Sequence, residues 1–176
     1  MSLEYIKGIQ QKVDINEIIK LLRGALSDEF IAAHQYWTQT KIIQGVHRDA
    51  INKELFQHRD EEIGHANMLM DRILQLGGNP EIRPLDWDKF TGCRYNSAID
   101  WDQRSIIESA LQGEKCAIQH YTKLAEFTRG RDQTTYDIVM NILEDEYEHV
   151  RDLNSLENMI NEKKESKHSP DKNKGH

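Results

Sequence analysis

Four long segments of the chain carry apolar side chains at helical spacing and contain no proline. All three prolines, Pro80, Pro84 and Pro170, lie outside these segments. A proline in a helix interior costs about 3 kcal/mol, so this distribution favours long unbroken helices. We therefore expect an all-α fold, and 176 residues are enough for one such domain with a hydrophobic core.

Capping and stop signals divide the segments into two helical hairpins. Asp14 with Glu17 resembles a capping box, and the pair Gly77 and Gly78 is a typical helix stop. The predicted helices are residues 14–44, residues 48–76, a third that starts near Asp100 or Asp102 and ends at Gly130, and a fourth capped by Asp132. The short connections make the helices of each pair antiparallel.

The segment between the second and third helices is long enough to run the length of the bundle. Helices of about 30 residues are about 45 Å long, and a connection of about 23 residues extends to about 76 Å. This combination predicts an up-down-down-up four-helix bundle with one long crossover, the topology of the ferritin-like fold. Residues 1–161 form the predicted domain. Residues 162–176 lack apolar side chains and are expected to be a disordered polar tail.

Composition excludes several classes of function. A net charge of -7 argues against nucleic acid as the main partner, and the few lysines of the tail are offset by acidic residues, so DNA binding is not expected. The chain shows neither an apolar secretory signal at residues 1–13 nor a run of eighteen apolar residues. We expect a cytoplasmic protein that does not bind membranes.

Glutamates occupy positions on the helical seams where leucine would be expected. Heptad counting places Glu29 in line with Leu22 and Tyr36, and the same count turns Glu62, Glu114 and Glu146 inward. His65 and His149 each follow a seam glutamate by three residues and share its face.

Four buried carboxylates repel one another, so a positive charge must lie among them. The sequence places no lysine or arginine at these seam positions near the glutamates. Two divalent cations would balance the charge, and carboxylate oxygen with imidazole nitrogen suits iron or manganese. Di-iron carboxylate bundles use such a ligand set: one Glu from each of two helices, and a Glu-x-x-His motif from each of the other two. The predicted metal ligands are Glu29, Glu62, His65, Glu114, Glu146 and His149.

The repeated spacing makes this pattern informative. A single Glu-x-x-His arises readily by chance, as in Glu165 with His168. Two copies in phase with the core, at residues 62 and 146, each about 33 residues after a buried glutamate, do not. The spacing also makes the chain two matching hairpins.

Several strings resemble a known family. EEIGHANMLMDRILQLGG and EDEYEHVRDL are similar to the metal-binding segments of bacterioferritins, and TGCRYNS with GEKCAIQHYTKLAEFT resembles the Dps-like thioferritins. The resemblance covers residues 10–160. The resemblance implies a dodecameric cage with two iron ions per subunit, for which manganese or zinc could substitute. It also implies that the protein oxidises Fe(II) with hydrogen peroxide or dioxygen, stores the ferric mineral and protects against oxidative stress.

The resemblance also implies a role for each ligand. Glu62 and Glu146 would bridge the two ions, while the first ion would be completed by Glu29 and His65, and the second by Glu114 and His149. Bacterioferritin has a haem-binding methionine after the helix-B glutamate, where this chain has Ile63, so haem is not expected. The chain also shows no fifth helix after Asn161, which favours the smaller cage.

The two cysteines have two readings. Cys116 follows Glu114 by two residues, about 200° around the helix, so it faces away from the metal ligands. It is either an ordinary buried thiol or, as the resemblance implies, part of a redox-active pair with Cys93. Too few cysteines occur for a CxxC metal knuckle.

Two further side chains have alternative interpretations. Tyr36, one heptad from Glu29 on the seam, is a candidate electron donor during iron oxidation or an ordinary core tyrosine. His58, one turn before Glu62, either supports the metal ligands or is partly exposed.

Two other functions remain open at the level of sequence. One is a di-iron or di-manganese oxidase or peroxidase that stores nothing. The other is a structural helical bundle with an adventitious metal site.

Overall fold

The computed structural model describes residues 3–166 and contains six α-helices in that range. They are α1 (Leu3–Gln10), α2 (Ile15–Ile42), α3 (Arg48–Gln75), α4 (Trp87–Phe90), α5 (Gln103–Thr128) and α6 (Gln133–Ser166). A short 3₁₀ helix, Pro84–Asp86, precedes α4. The described residues form no β-strand, so the predicted all-α class is confirmed.

Helices α2 and α5 begin next to the capping residues that were predicted from the sequence. The side chain of Asp14 accepts a hydrogen bond from the backbone of Asn16 at the start of α2, and Asp102 does the same for Arg104 and Ser105 at the start of α5. Such caps satisfy amide groups that have no partner within the helix. Each helix therefore starts next to its predicted capping residue.

Both ends of the described chain differ from the prediction. Helix α1 was not predicted, and it packs Ile9 against the end of the bundle core. Helix α6 continues to Ser166, five residues beyond the predicted domain limit at Asn161. The rest of the predicted polar tail, residues 167–176, lies outside the described residues.

Side-chain contacts fix the direction of the helices. Between α2 and α5, Tyr36 contacts Glu114 and Glu29 contacts Tyr121, so these two helices are antiparallel. Between α3 and α6, pairs such as His65 with Asp145 and Arg72 with Asp132 also run in opposite directions. Together with the short connections, this gives the predicted up-down-down-up order.

The crossover between α3 and α5 follows the surface of α2. The carbonyl of Asn79 accepts a hydrogen bond from Arg23, and the rings of Trp87 and Phe30 stack with centroids 5.4 Å apart. At the other end of α2, the backbone amide of Gln44 donates to the carbonyl of Trp101 at 2.7 Å. The crossover thus returns the chain to the end of the bundle from which α5 must start.

Two apolar clusters pack inside the bundle, one on each side of a buried polar layer. The first contains Leu22, Leu69, Leu124 and Val139, and the second contains Leu55, Ile107 and Leu153. Residues midway between these positions on the four long helices form the polar layer. Within the part of the chain that the structure describes, no helix is long and apolar enough to cross a membrane.

Candidate metal centre

The polar layer is built from the six predicted ligands. They project from all four long helices, and each is at most 2% exposed. The cluster consists of Glu29 from α2, Glu62 and His65 from α3, Glu114 from α5, and Glu146 and His149 from α6. The structure therefore brings together all six residues that were predicted as metal ligands.

One half of the cluster surrounds His65. The Nδ1 atom of this histidine lies 3.3 Å from Glu29, 3.2 Å from Glu62 and 3.4 Å from Glu146. One donor atom from each of these four residues lies within 4.8 Å of the others. Four such atoms can bind a single cation.

The other half surrounds His149 in the same way. Its Nδ1 atom lies 3.4 Å from Glu114, 3.5 Å from Glu62 and 3.6 Å from Glu146. These four residues again offer donor atoms within 4.8 Å of one another. Because Glu62 and Glu146 belong to both halves, two cations bound here could share both carboxylates.

An outer carboxylate orients each histidine. The Nε2 atom of His65 lies 3.1 Å from Asp145, and that of His149 lies 2.9 Å from Glu61. Such partners fix the ring of a metal-binding histidine with its other nitrogen facing inward. Sequence reasoning missed both acidic residues, although each directly precedes the glutamate of a Glu-x-x-His motif.

Two tyrosines hold the remaining glutamates. Tyr36 on α2 donates a hydrogen bond to Glu114 on α5, and Tyr121 on α5 donates one to Glu29 on α2. The two tyrosine–glutamate pairs are equivalent when the two helical hairpins are exchanged. The same exchange relates the pair His65 and Asp145 to the pair His149 and Glu61. Tyr121 was not among the predicted site residues, yet it follows Glu114 by seven residues just as Tyr36 follows Glu29.

Burial and mutual repulsion shift the pKa values of several residues of the cluster toward their protonated forms. Burial and the nearby Glu146 raise the pKa of Glu114 to about 7, and burial with Glu146 and Glu29 raises the pKa of Glu62. Burial opposes a charge on His65, but the three carboxylates within 3.4 Å of its Nδ1 atom outweigh it and raise the pKa of that imidazole. The cluster thus retains protons that exposed side chains of the same types would release at neutral pH.

Buried oxygen atoms without hydrogen bonds show that protons alone do not satisfy the cluster. Both carboxylate oxygens of Glu146, one oxygen of Glu29 and one of Glu62 lack a hydrogen-bond partner. An unsatisfied buried polar atom costs about 1–3 kcal/mol, and more when it is charged. All of these atoms lie where a cation would contact them, so the donor set fits metal ions.

A small cavity connects the cluster with a disulfide bond. The cavity has a volume of about 30 Å³, and its walls include Glu29, Glu62, Tyr36 and Cys93. Cys93, in the crossover, is bonded to Cys116 on α5, with Cα atoms 5.7 Å apart. The interpretation of Cys116 as an ordinary thiol is therefore wrong. Cys116 itself does not line this cavity, as its helical position predicted.

His58 lies directly beside the cluster. Its ring stacks on His149 with centroids 4.0 Å apart, and its Nδ1 atom lies 4.0 Å from Glu114. The side chain is 0% exposed, so the expected partial exposure was wrong. His58 therefore lies next to two of the predicted ligands, and a role in supporting them stays a prediction.

Comparisons with known proteins agree with this arrangement. A model of the ferritin-like domain family matches residues 19–162. A solved structure described as a dodecameric thioferritin, the bacterioferritin-related protein of Bacteroides fragilis, is 36% identical, with a TM-score of 0.92 over 96% of this chain and 100% of that chain.

Two further relatives are more distant. The DNA protection during starvation protein of Pyrococcus furiosus is 28% identical over 78% of this chain and 75% of its own length. A ferritin-like, diiron-carboxylate protein of Bacillus anthracis is 26% identical, with a TM-score of 0.70 over 81% of this chain and 96% of that chain. The chain therefore belongs to the ferritin-like domain family, within which it is a Dps-like protein of the thioferritin type.

Proposed function

We propose that this protein oxidises Fe(II) at the buried cluster of four glutamates and two histidines and stores the ferric product in a homo-oligomeric cage, which protects the cell against oxidative stress. The observation that carries the proposal is the set of buried carboxylate oxygens that lack hydrogen-bond partners and converge on two adjacent positions. Membership of a family of iron-storing proteins supports the same function.

The proposed ligand roles follow from the two groups of donor atoms. Glu62 and Glu146 belong to both groups and would bridge the two ions. Glu29 with His65 would complete the first position, and Glu114 with His149 the second. Each ion would then contact three carboxylates and one imidazole, a donor set that suits Fe(II) and also accepts manganese or zinc.

Haem is not part of the proposal. Ile63 follows the bridging Glu62, is 44% exposed and has no atom that could bind haem iron.

The reaction consumes iron as a substrate. Two Fe(II) ions each lose one electron, and one hydrogen peroxide molecule takes up both electrons with two protons to give two water molecules. With dioxygen as the oxidant, the same two electrons and two protons give hydrogen peroxide. The protein would hold the two ions close together and in a fixed geometry, so that both electrons reach one oxidant molecule.

The size of the cavity favours a small oxidant over an organic substrate. At about 30 Å³, the cavity beside Tyr36 and Cys93 has room for a molecule of about the size of water. A drug-sized organic substrate needs about 300 Å³ or more. This argues against the alternative of an oxidase that acts on organic molecules.

The proposed assembly is a dodecamer. Its support is the similarity in shape to the dodecameric thioferritin, which extends over the whole length of that chain. DNA binding is not proposed, because the lysines of residues 167–176 lie outside the described residues and the chain carries a net charge of -7.

Stopped-flow absorbance of Fe(III) formation tests the proposed reaction. We expect Glu62→Ala to keep the helical content and particle size of the wild type but to lose rapid oxidation with both oxidants. Glu108→Ala, at an exposed position on α5, is the matched control and should oxidise iron at the wild-type rate. An unchanged rate in Glu62→Ala would refute the site.

Particle mass before and after iron loading tests storage. A particle of about twelve chains that gains many iron atoms per chain supports a storage cage. A dimer that oxidises iron without retaining it would instead identify a non-storage oxidase. A particle that neither binds nor oxidises iron would identify a structural bundle.

A further inference from the structure

A second group of possible metal ligands lies around the Nε2 atom of His58. This side chain is fully buried, yet neither Nδ1 nor Nε2 has a hydrogen-bond partner. Buried polar atoms are almost always hydrogen-bonded, so an imidazole with neither nitrogen satisfied requires an explanation. Packing against His149 accounts for the position of the ring but leaves both nitrogens unsatisfied.

Two carboxylates face the Nε2 atom of His58. Glu54, one turn earlier on α3, has an oxygen 3.5 Å from it, and Asp152 on α6 has an oxygen 3.9 Å from it. The three donor atoms lie within 4.8 Å of one another. The separations are too long for good hydrogen bonds, which run to about 3.2 Å for a nitrogen donor.

The same separations suit a shared cation. Imidazole nitrogen and carboxylate oxygen each bind a first-row divalent metal at about 2.1 Å, so two ligands of one ion lie about 3 to 4 Å apart. Two carboxylates and a neutral imidazole would give a net charge near zero with a divalent ion. Without a cation, burial and the neighbouring Asp152 raise the pKa of Glu54.

The group formed by Glu54, His58 and Asp152 is open to solvent on one side. The side chains of Glu54 and Asp152 are 24% and 37% exposed, whereas His58 closes the inner end. The other nitrogen of His58 faces Glu114 of the di-metal cluster at 4.0 Å. A cation bound by these three residues would therefore lie between the α3 and α6 surface and the second metal position.

We propose that Glu54, His58 and Asp152 form a third cation site, which takes a divalent first-row metal such as Fe(II), Co(II) or Zn(II). It is separate from the six ligands of the di-metal cluster. Its further role, as a station from which Fe(II) reaches the Glu114 and His149 position, rests on the proposed function. The binding itself does not.

The test measures how many Co(II) ions bind per chain of the full assembled protein under anaerobic conditions. Co(II) is the probe because oxygen chemistry does not complicate its binding. We expect three ions per chain in the wild type and two in Glu54→Gln with Asp152→Asn. Both substitutions keep side-chain size, and thermal melting checks that the variant is folded. Asp71→Asn with Glu144→Gln removes the same two charges from exposed positions on the same helices and should retain three ions.

A crystal of the Co(II)-loaded wild type should show an anomalous peak next to Nε2 of His58, and the variant should lose it by at least tenfold in occupancy. An unchanged count and peak in the variant would overturn the third site.

The two proposals can fail separately. Two ions per chain in both wild type and variant would overturn the third site and leave the di-metal cluster intact. One ion in the wild type that disappears in the variant would support the third site and overturn the di-metal cluster. No bound ion in the wild type would overturn both.

Discussion

The hydroxyl group of Tyr121 on α5 donates a hydrogen bond to Glu29 on α2, across the bundle from its own helix. This bond fixes one oxygen of a candidate ligand, whereas the other oxygen of Glu29 has no hydrogen-bond partner. Tyr121 therefore connects the two hairpins at the metal cluster, and a change at this one oxygen atom should affect metal binding without removing a ligand.

Tyr121→Phe should weaken binding at the first metal position by about tenfold or more, since removal of a group that orients a metal ligand typically costs 10–100-fold in affinity. Anaerobic Co(II) titration measures this. Tyr147→Phe removes the hydroxyl of an exposed tyrosine on α6 and should leave the affinity unchanged. Equal affinities for all three proteins would contradict the proposed orienting role.

When only one Fe(II) occupies the cluster, Tyr36 rather than Tyr121 should supply the second electron, with its hydroxyl proton, that reduces hydrogen peroxide to water. Both tyrosines contact a glutamate of the cluster, but only Tyr36 lines the cavity through which a small oxidant would approach. Rapid-freeze electron paramagnetic resonance after mixing with one Fe(II) per chain and peroxide should detect a tyrosyl radical in wild type and Tyr121→Phe. The radical should be absent in Tyr36→Phe. A signal that survives in Tyr36→Phe would refute the electron-donor role.

The Cys93 to Cys116 pair should respond to redox conditions. Alkylation of the oxidised protein should add no label, and alkylation after reduction should add two, as read by mass spectrometry. Two labels without reductant would exclude a disulfide. Since the bond closes a loop with a sequence separation of 23, the double variant Cys93→Ser with Cys116→Ser should lose about 3 kcal/mol of stability.

Metal affinity should rise with pH because metal binding displaces protons. The pKa of Glu114 is raised to about 7, so this carboxyl group is mostly neutral at pH 6 and must release its proton before it can bind a cation. Each proton displaced below its pKa weakens the apparent affinity by about tenfold per pH unit.

Calorimetry in two buffers with different ionisation enthalpies checks this prediction. More protons should be released per ion at pH 6 than at pH 8. A binding heat that does not depend on the buffer at pH 6 would contradict it.

Asp132 should be important for stability away from the metal cluster. It accepts hydrogen bonds from the guanidinium group of Arg72 at 2.7 and 2.8 Å, and both side chains are almost fully buried. Asp132→Ala would remove the carboxylate that forms an ion pair with the buried guanidinium group of Arg72, at a cost of about 3–5 kcal/mol. Urea unfolding followed by circular dichroism measures the loss. Asp137→Ala, at an exposed position on α6, should cost less than about 1 kcal/mol.

The features that could be predicted from the sequence are those that each helix determines by itself. Heptad counting within each helix sufficed to find all six cluster residues, because inward orientation is a property of the helix itself. Capping residues located the starts of α2 and α5 for the same reason. Helix α1 has only eight residues, too few for the periodic signal that identified the others.

The residues that sequence reasoning missed depend on packing between helices. Asp145 contacts His65 only because α6 lies against α3 in one particular register. The contact of Glu61 with His149 has the same origin, as does the burial of His58. Likewise, the partner of Cys116 is determined by the path of the crossover, which no periodicity encodes.

The distribution of ligands over the two hairpins couples iron supply to folding. Each candidate ion position takes three residues from one hairpin and a single glutamate from the other: Glu146 on α6 at the first position and Glu62 on α3 at the second. An ion can therefore be held fully only when the hairpins are docked, and binding to the docked state alone stabilises it by RT ln(1 + [ion]/Kd). The thermal stability of the protein should thus report how much free metal its surroundings contain.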